Sequence, residues 1–289
     1  MQQFLSRTSI VAICIALSAC GGGGGDDSGS VTTPAVPGTN GLDYGNAGQR
    51  LSDAEGITIT GDAAQLQDGT VAQSPGTITL DAGFFSGARH GTVTIFGEQV
   101  TITDGAGTLP STGQDVNLFF DSSRSGTYAA TLQVATYGAS QPDAIDGEIG
   151  YVFGFETNPA EINAVTGALE YTGEFLAGGL LNGTTEAEYE GAVTFIADFD
   201  DNDVTGRLVG QIDSATSVNL DLLDGALAGN GFTGGLTCDA GCNGSAGNVV
   251  GTFYGPSAAE LGGTLALDFE NFVGAGTFIL TDPTQPTPP

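Results

Sequence analysis

From about Leu51 onward, hydrophobic and polar residues alternate with a period of two. Segments such as GTVTIFGEQVTIT and GTYAATLQVATYG place Ile, Val, Leu or Tyr between Thr, Gln and Gly, and clusters of Gly, Asp, Ser and Pro separate them. This pattern predicts short β-strands with one buried face, joined by tight turns. No run of helical period is long enough to predict a helix, and PSAAELGG (256–263) has room for one helical turn at most.

The second half of the chain predicts eight strands. They are Gly167–Leu176, Glu186–Phe199, Val204–Ile212, Val218–Leu223, Gly225–Phe232, Asn248–Tyr254, Leu261–Phe269 and Phe272–Thr281. Eight short antiparallel strands favour a closed barrel, because closure leaves no strand edge exposed. Gly recurs within them, at Gly173, Gly191, Gly206, Gly251, Gly263 and Gly276. In a barrel, Gly lets a strand bend and makes room for a neighbouring aromatic ring. The expected fold is all-β, with an eight-stranded antiparallel C-terminal barrel after a smaller β-rich domain.

The N-terminus predicts export. One Arg precedes an apolar run from Ile10 to Leu17, which is too short for a membrane span but typical of a signal peptide. The Leu-Ser-Ala-Cys stretch that ends at Cys20 resembles a bacterial lipobox, which implies removal of residues 1–19 and acylation of Cys20. Gly rather than Asp follows Cys20, so the destination that we expect is the outer membrane. A secretory signal that happens to end in Cys is the alternative.

The chain divides into five parts by composition. After the signal peptide, residues 20–49 are rich in Gly, Ser, Thr and Pro and predict a flexible tether. Residues 50–155 predict the β-rich domain and residues 156–282 the barrel, and residues 283–289 predict a flexible tail. The five consecutive glycines of the tether follow no strand and precede no helix, so they do not predict a phosphate-binding loop.

The charge of the chain restricts its partners. The net charge is −29, and Lys and Arg together number 5. Nucleic-acid binding needs a cationic surface, so this composition excludes it as an expected function. It also disfavours a basic patch on anionic lipid, which leaves the acyl group as the expected membrane contact. A strongly acidic surface favours solubility, cationic partners or a salty medium.

Two cysteines remain in the barrel, Cys238 and Cys242, within TCDAGCNG. Outside the cytoplasm, two Cys this close usually form a disulfide, so we predict that bond. The rival is a pair of metal ligands. A zinc site would need two further ligands, and the only His, His90, is far away in sequence.

An acidic stretch, FIADFDDNDVTG, raises the question of a calcium site. Asp198, Asp200 and Asn202 are two residues apart, as oxygen ligands can be. If Phe199 and Val204 flank a hairpin, residues 200–203 are its turn, which Asp and Asn favour. A helix–loop–helix calcium loop needs Gly at its sixth position and Glu at its twelfth, and counting from Asp198 both fail. A plain turn is the prediction, and a weak cation site is the open alternative.

The other candidate residues in the sequence do not form a recognisable set of catalytic groups. His90, next to Arg89, fits a general base or haem ligand in principle, but a lone His at a strand end is more often a surface residue. GNGFTG (229–234) matches a nucleotide-binding pattern by letter, but no helix is predicted after it. Glu186 and Glu188 would share one face of a strand, as acids on an outward face do. We therefore expect no enzyme, no cofactor and no metal site.

Three stretches carry a family resemblance: VTGALEYTGEF (165–175), AVTFIADFDDNDVTGRLVG (192–210) and VVGTFYGPSAAELGGTLAL (249–267). Together they resemble the C-terminal β-barrel module of transferrin-binding protein B-like lipoproteins. The first matches at Gly167, Tyr171, Thr172 and Gly173, and the second at Ala197, Asp198, Phe199, Val204 and Gly206. The third, which is the most specific, matches at Gly251, Phe253, Tyr254, Gly255, Pro256, Ala258, Glu260, Gly262 and Gly263. Residues 50–150 resemble the family only loosely, in the place of its handle domain.

The resemblance implies a lipid-anchored, surface-exposed outer-membrane protein that binds a ligand or partner and does not catalyse a reaction. Its implied partners are a protein or an iron or haem carrier, together with a TonB-dependent outer-membrane receptor. The host-capturing lobes of the family are usually rich in Lys and have long loops, whereas this chain has no Lys and short loops. No ligand contact is therefore carried over, and the ligand-binding residues stay unknown. A structural envelope lipoprotein without a small ligand is the alternative.

Overall fold

The computed structural model describes Arg50 and residues 57–67, 69–80, 90–95, 97–120, 125–138 and 141–284. The predicted signal peptide 1–19, the tether with Cys20, Arg89 and all but the first two residues of the tail 283–289 lie outside these ranges. No helix in the described part of the chain is long and apolar enough to cross a membrane.

The first half of the chain forms an eight-stranded antiparallel sheet. Its strands are β1 (Ile57–Gln67), β2 (Thr70–Leu80), β3 (Gly91–Ile95), β4 (Glu98–Ile102), β5 (Ala106–Thr108), β6 (Asp115–Phe119), β7 (Ala129–Gly138) and β8 (Gln141–Gly154). Their spatial order is β4-β3-β2-β1-β8-β7-β6-β5. The backbone N–H of Thr103 donates to the carbonyl of Ala106 at 2.8 Å, which links the ends of β4 and β5. The sheet therefore curls around a core of its own.

The alternation in the sequence explains this core. In β3 and β6 every second residue is buried, and the buried side chains meet inside the curl. They include Val93, Ile95, Val100, Ile102, Val116, Leu118, Leu132, Val134, Ile149, Tyr151 and Phe153. The prediction of a β-rich domain before the barrel is confirmed.

The second half forms a closed barrel of eight antiparallel strands, as predicted. They are β9 (Ala168–Leu181), β10 (Thr185–Asp198), β11 (Asp203–Ile212), β12 (Thr216–Ala228), β13 (Gly231–Ala240), β14 (Ser245–Tyr254), β15 (Glu260–Phe269) and β16 (Phe272–Thr281). β16 pairs with β9 from Phe272–Leu181 to Thr281–Thr172, which closes the ring. Aromatic side chains fill the interior, and the Tyr171 and Tyr189 hydroxyls donate to the carbonyls of Ala258 and Val218 at 2.7 and 3.0 Å.

The number of barrel strands was predicted correctly, but one division between strands was wrong. Val218–Leu223 and the start of Gly225–Phe232 are a single strand, β12, and β13 was missed. The Asp-Gly at 224–225 is a bulge, because the register to β13 shifts between Leu222 and Ala226. The true turn follows Ala228, where Gly229 has a φ of 64°. The start of β13 is rich in glycine and lacks large residues at alternate positions. The sequence pattern therefore did not predict a strand there.

Two short helical segments lie at the start and near the end of the barrel. A four-residue helix, α1 (Pro159–Ile162), was not predicted; Asn158 caps it by accepting from the N–H of Ala160 at 2.9 Å. A 3₁₀ turn at Pro256–Ala258 confirms that PSAAELGG holds one turn. The Asn-Pro pair that begins α1 was the available sequence signal, because Pro fits the first turn of a helix.

The sheet packs with one face against the outer wall of the barrel. Val152 of β8 contacts Tyr254 and Ile279, and Ala64 and Leu66 of β1 pack on Ala275. Small residues allow the sheet and the barrel to approach each other closely. A Cβ at Gly150 of β8 would lie only 2.7 Å from the Thr277 Cγ2 atom of β16. This packing brings together side chains that are far apart in sequence. We call this interface between the sheet and the barrel wall the seam.

Candidate functional site

The strongest candidate site is a cleft at one end of this seam, which we call the acidic cleft. Its cavity has a volume of about 680 Å³. The sheet supplies residues from β1, β6, β7 and β8, and the barrel supplies residues from β9, β10 and the turn after β11. The lining residues that the argument uses are Leu66, Phe119, Tyr137, Glu148, Gly178, Leu180, Glu186, Glu188 and Asp213. Concave cavities with an apolar wall and a few polar groups are the usual form of ligand sites.

Glu148 is one of the acids that line the acidic cleft. It lies on β8, and a Cβ on Gly178 of the facing β9 would overlap its carboxylate. Burial, together with the charges of Glu188 and Glu186, raises the pKa of Glu148 to about 7. The carboxyl is thus poised to gain or lose a proton near neutral pH.

Glu186 and Glu188 lie on one exposed face of β10, as the alternation predicted. Asp213 closes this side of the cleft: its Oδ1 accepts from the N–H of Glu188 at 3.1 Å, and its own N–H donates to the Glu188 carbonyl at 2.9 Å. Among the described residues that line the cavity, none is Lys, Arg or His.

The rest of the wall is apolar. Phe119 of β6 leaves 49% of its surface exposed although it is a large hydrophobic residue. Leu66 and Leu180 reach the same cavity from the two facing walls. The described lining of the acidic cleft therefore combines acidic side chains with apolar surface.

A second group of buried polar residues lies elsewhere on the seam. Asn230 Nδ2 donates to Glu156 Oε2 at 2.6 Å, and Thr252 Oγ1 donates to Asp62 Oδ2 at 2.9 Å. Burial raises the pKa of Asp62, and it raises the pKa of Glu156 to about 7. The buried Tyr254 lies close enough for both acids to raise its pKa. The sequence analysis did not predict that Asp62 and Glu156 are buried. The alternation of residues in a strand does not show what packs against the outer face of that strand.

The acidic stretch at 198–203 is a hairpin turn, as predicted. It joins β10 and β11, and Asn202 has a left-handed φ of 56°. Asp198 Oδ1 accepts from the N–H groups of Asp200 and Asp201 at 3.0 and 3.3 Å. Among the residues that the structure describes, no group of three or more His, Cys, Asp or Glu is arranged to hold a metal ion.

The remaining candidates are separate from the acidic cleft. Cys238 and Cys242 form the expected disulfide at the β13–β14 hairpin. His90 is partly exposed and its Nε2 lies 2.9 Å from Asp104 Oδ1. Residues 229–234 continue into β13 rather than into a helix. None of these groups meets another in a catalytic arrangement.

Comparisons with known proteins support the assignment of the second half of the chain as a β-barrel. Residues 147–278 match the family model of the C-lobe and N-lobe β-barrels of Tf-binding protein B. The barrel of this chain is similar to the barrels of that family. A search of curated proteins gives no significant match.

Two solved TbpB structures share this fold at low identity. Intact Ap-TbpB is 21% identical with a TM-score of 0.50, over 77% of this chain and 46% of that one. A TbpB double mutant from Haemophilus parasuis Hp5 is 18% identical with a TM-score of 0.50, over 77% and 44%. HpuA from Kingella denitrificans, solved with human haemoglobin, is 13% identical with a TM-score of 0.42, over 82% and 92%. This chain spans less than half the length of the two TbpB chains.

Proposed function

We propose that this protein is a lipid-anchored binding protein of the outer membrane, displayed at the cell surface, that captures a ligand or a partner protein. The observation that supports the proposal is the match of residues 147–278 to the family model of the Tf-binding protein B barrels. The acidic cleft supports a binding role, because it offers a ligand-sized cavity beside a rigid barrel. By analogy with the family, the ligand belongs to iron, haem or metal acquisition, and the partner is a protein or haem carrier with a TonB-dependent receptor.

The anchor in this proposal is Cys20. Removal of the signal peptide 1–19 frees the Cys20 amine, which can be acylated in addition to the Cys20 thiol, and several acyl chains hold a protein stably on a membrane. In this proposal the predicted tether 20–49 connects the anchor to the handle-like domain 50–155 and the barrel 156–282, which the predicted tail 283–289 follows.

Protease treatment of intact cells tests the surface location. We expect an added protease to digest the protein in intact cells while a periplasmic marker survives. The matched control is Cys20→Ser, which should leave the membrane fraction because it has no acylation site. Protection of the wild-type protein until the cells are lysed would contradict surface display.

Affinity capture from cells grown with and without iron tests the binding role. We expect a specific receptor or carrier to be recovered with the wild-type protein under iron limitation. Recovery of peptidoglycan or of nothing would instead favour a structural envelope lipoprotein, and the binding proposal would then be withdrawn.

A further inference from the structure

Polar side chains from four separate parts of the chain meet at the end of β14. Thr252 Oγ1 of this strand donates to Asp62 Oδ2 of β1 at 2.9 Å. Asn230 Nδ2, from the turn between β12 and β13, donates to Glu156 Oε2 at 2.6 Å. We call these four residues the seam cluster. It joins side chains of the sheet to side chains of the barrel.

Backbone hydrogen bonds hold the two pairs of the seam cluster side by side. The N–H of Phe253, which follows Thr252 in β14, donates to the Asn230 carbonyl at 2.8 Å. The Phe253 carbonyl in turn accepts from the N–H of Thr157 at 2.8 Å. The residue before Thr157 is Glu156. Both pairs are therefore attached to the same short stretch of β14.

One oxygen atom of the seam cluster has no donor. Asn230 has 0% of its surface exposed, and its Oδ1 atom has no hydrogen-bond partner among the described residues. An amide flip would bring Oδ1 against an ionised Glu156 carboxylate, which is another acceptor rather than a donor. Buried polar groups are usually partnered, and an oxygen acceptor is satisfied by a donor or by a cation. The buried Oδ1 atom therefore points to a ligand at this place.

The two acids of the seam cluster have no basic partner. Neither Asp62 nor Glu156 forms an ion pair with Lys, Arg or His among the described residues. The second oxygen of each carboxyl, Asp62 Oδ1 and Glu156 Oε1, accepts no hydrogen bond from a described residue. The charge of Asp62 acts on Glu156, so the two carboxyls are neighbours. A cation beside them would remove their mutual repulsion and give Asn230 Oδ1 a partner.

We propose that the seam cluster binds a calcium ion, with Asp62, Glu156 and the Oδ1 atom of Asn230 as its ligands. Carboxylate and amide oxygens are the ligands that calcium takes, and water completes its coordination. Only two of the three residues are acids, so the site differs from a group of three or more His, Cys, Asp or Glu, which the described residues lack. Asp62 and Glu156 keep part of their surface exposed, so an ion can reach them.

The ion has a structural role in this proposal. Asp62 belongs to the sheet and Asn230 to the barrel, so a shared calcium ion fastens the two halves of the described chain to each other. The inference goes beyond the proposed function, because this ion is a part of the protein and not the captured ligand.

Calorimetric titration of the purified protein with calcium chloride tests the site. After metals have been removed with a chelator, we expect saturable binding of about one calcium ion at about pH 8, where the carboxyls are ionised. Magnesium should bind at least about tenfold more weakly, because it holds its water shell and demands a stricter geometry. No saturable calcium binding, or equally tight binding of magnesium, would overturn the proposal.

Terbium luminescence locates the ion. Terbium(III) replaces calcium in oxygen sites and emits when a neighbouring aromatic ring is excited. The chain has no Trp, and Tyr254 hydrogen-bonds Thr252 and forms a β-bridge with Glu156. We expect emission that calcium abolishes by displacement, and Tyr254→Phe should lower it while calcium still binds. Emission of wild-type strength in Tyr254→Phe would place the ion elsewhere and overturn the proposal.

Variants separate the seam cluster from the general negative charge of the protein. Asn230→Ala should weaken calcium binding at least about tenfold. Asn230→Asp supplies a third carboxylate and should bind calcium more tightly than the wild type. Asp200→Asn is the matched control, because it removes one acid from the hairpin turn at 200–203 and should leave the affinity unchanged. Equal weakening in Asn230→Ala and Asp200→Asn would assign the ion to bulk charge and overturn the proposal.

Thermal unfolding repeats the test from the sheet side of the seam. Asp62→Asn keeps the size of the side chain and an acceptor for Thr252, but it removes the charge. Calcium should raise the melting temperature of the wild type more than that of Asp62→Asn or Asn230→Ala, because only the wild type binds the ion tightly. An equal rise in all three proteins would overturn the proposal. Surface display and capture of a partner would still stand on their own tests.

Discussion

At the scale of single residues, the acids of this protein fall into two kinds. Most lie on outward strand faces in water, as Glu186 and Glu188 do. A few are buried where the sheet meets the barrel, and burial raises the pKa of each of these, among them Asp62, Glu148 and Glu156. Such acids make the stability of the seam depend on pH.

Glu156→Gln should flatten this dependence. The folded-state pKa of Glu156 is raised from 4.5 to about 7, so the folded protein holds a proton that the unfolded chain releases. The contribution of Glu156 is fully present below pH 4.5 and is lost as the pH rises through about 7. The loss amounts to about 3 kcal/mol of unfolding free energy. At pH 8 the variant should be more stable than the wild type, and at pH 4 the two should be equal.

Thermal unfolding across this pH range measures the effect. Glu170→Gln serves as the control, because Glu170 is exposed on the barrel wall. A Glu156→Gln profile that runs parallel to the wild-type profile would show that Glu156 does not titrate in this range.

At the scale of elements, glycines of the barrel strands lie against aromatic rings of the neighbouring strands. A Cβ on Gly206 would overlap the ring of Phe195, and a Cβ on Gly251 would overlap the ring of Phe232. Phe195 and Phe232 in turn contact each other with ring centroids 5.6 Å apart. The expectation that Gly makes room for aromatic rings is confirmed at these positions, whereas Gly191 instead faces the backbone of Val209.

Gly251→Ala should therefore destabilise the barrel. The added methyl group forces the Phe232 ring out of its position, and overpacking of this kind costs about 1–3 kcal/mol. Gly235→Ala is a matched control in a neighbouring strand, because a Cβ there has nothing within 4 Å. We expect the control to change the unfolding free energy by less than about 0.5 kcal/mol. Urea unfolding measures both variants, and equal losses would contradict the role of the ring.

The Cys238–Cys242 bond stiffens the β13–β14 hairpin without holding the barrel closed. The two residues are 4 apart in sequence, so the bond closes a small ring. The chain-entropy estimate for so small a ring is about 2 kcal/mol at most. Replacing both Cys by Ser should lower the unfolding free energy by no more than this and should leave the strand content unchanged in circular dichroism. A complete loss of folding would show that the bond is a main determinant of stability.

At the scale of the whole molecule, one carboxylate joins the sheet to the barrel. Glu260 of β15 accepts from the backbone N–H groups of Thr127, Tyr128 and Ala129 at 2.5, 3.0 and 3.0 Å. Burial raises its pKa, and the three donors act in the opposite direction. Glu260 belongs to the most specific of the family stretches, and its position explains why an acid is suited to that place.

Glu260→Ala should loosen the segment before β7 while leaving the barrel folded. Three N–H groups would lose their acceptor, and each buried donor without a partner costs about 1–3 kcal/mol. Hydrogen exchange should therefore increase at residues 127–129 and change little in β10 and β11. Glu170→Ala is the control on the outer wall. Uniform acceleration across the barrel would mean that Glu260 supports the barrel itself.

The sequence by itself determined most of the barrel strands, their number and the acidic turn to within one residue, because a period of two and turn residues are local properties of the chain. It also indicated the barrel family through short stretches such as FYGP. It did not separate β12 from β13 correctly, since a bulge at 224–225 and a turn at Gly229 carry the same Asp, Asn and Gly signals.

Only the tertiary structure decided which acids are buried and have a raised pKa. Alternation says that Glu148 and Asp62 point to one face of a strand, but not whether water or another sheet covers that face. The packing of β1 and β8 on β15 and β16 removes water from these carboxyls and brings Glu148 opposite Gly178. The acidic cleft therefore exists only once residues from both halves of the chain meet, because desolvation is a property of the assembled seam and not of any one strand.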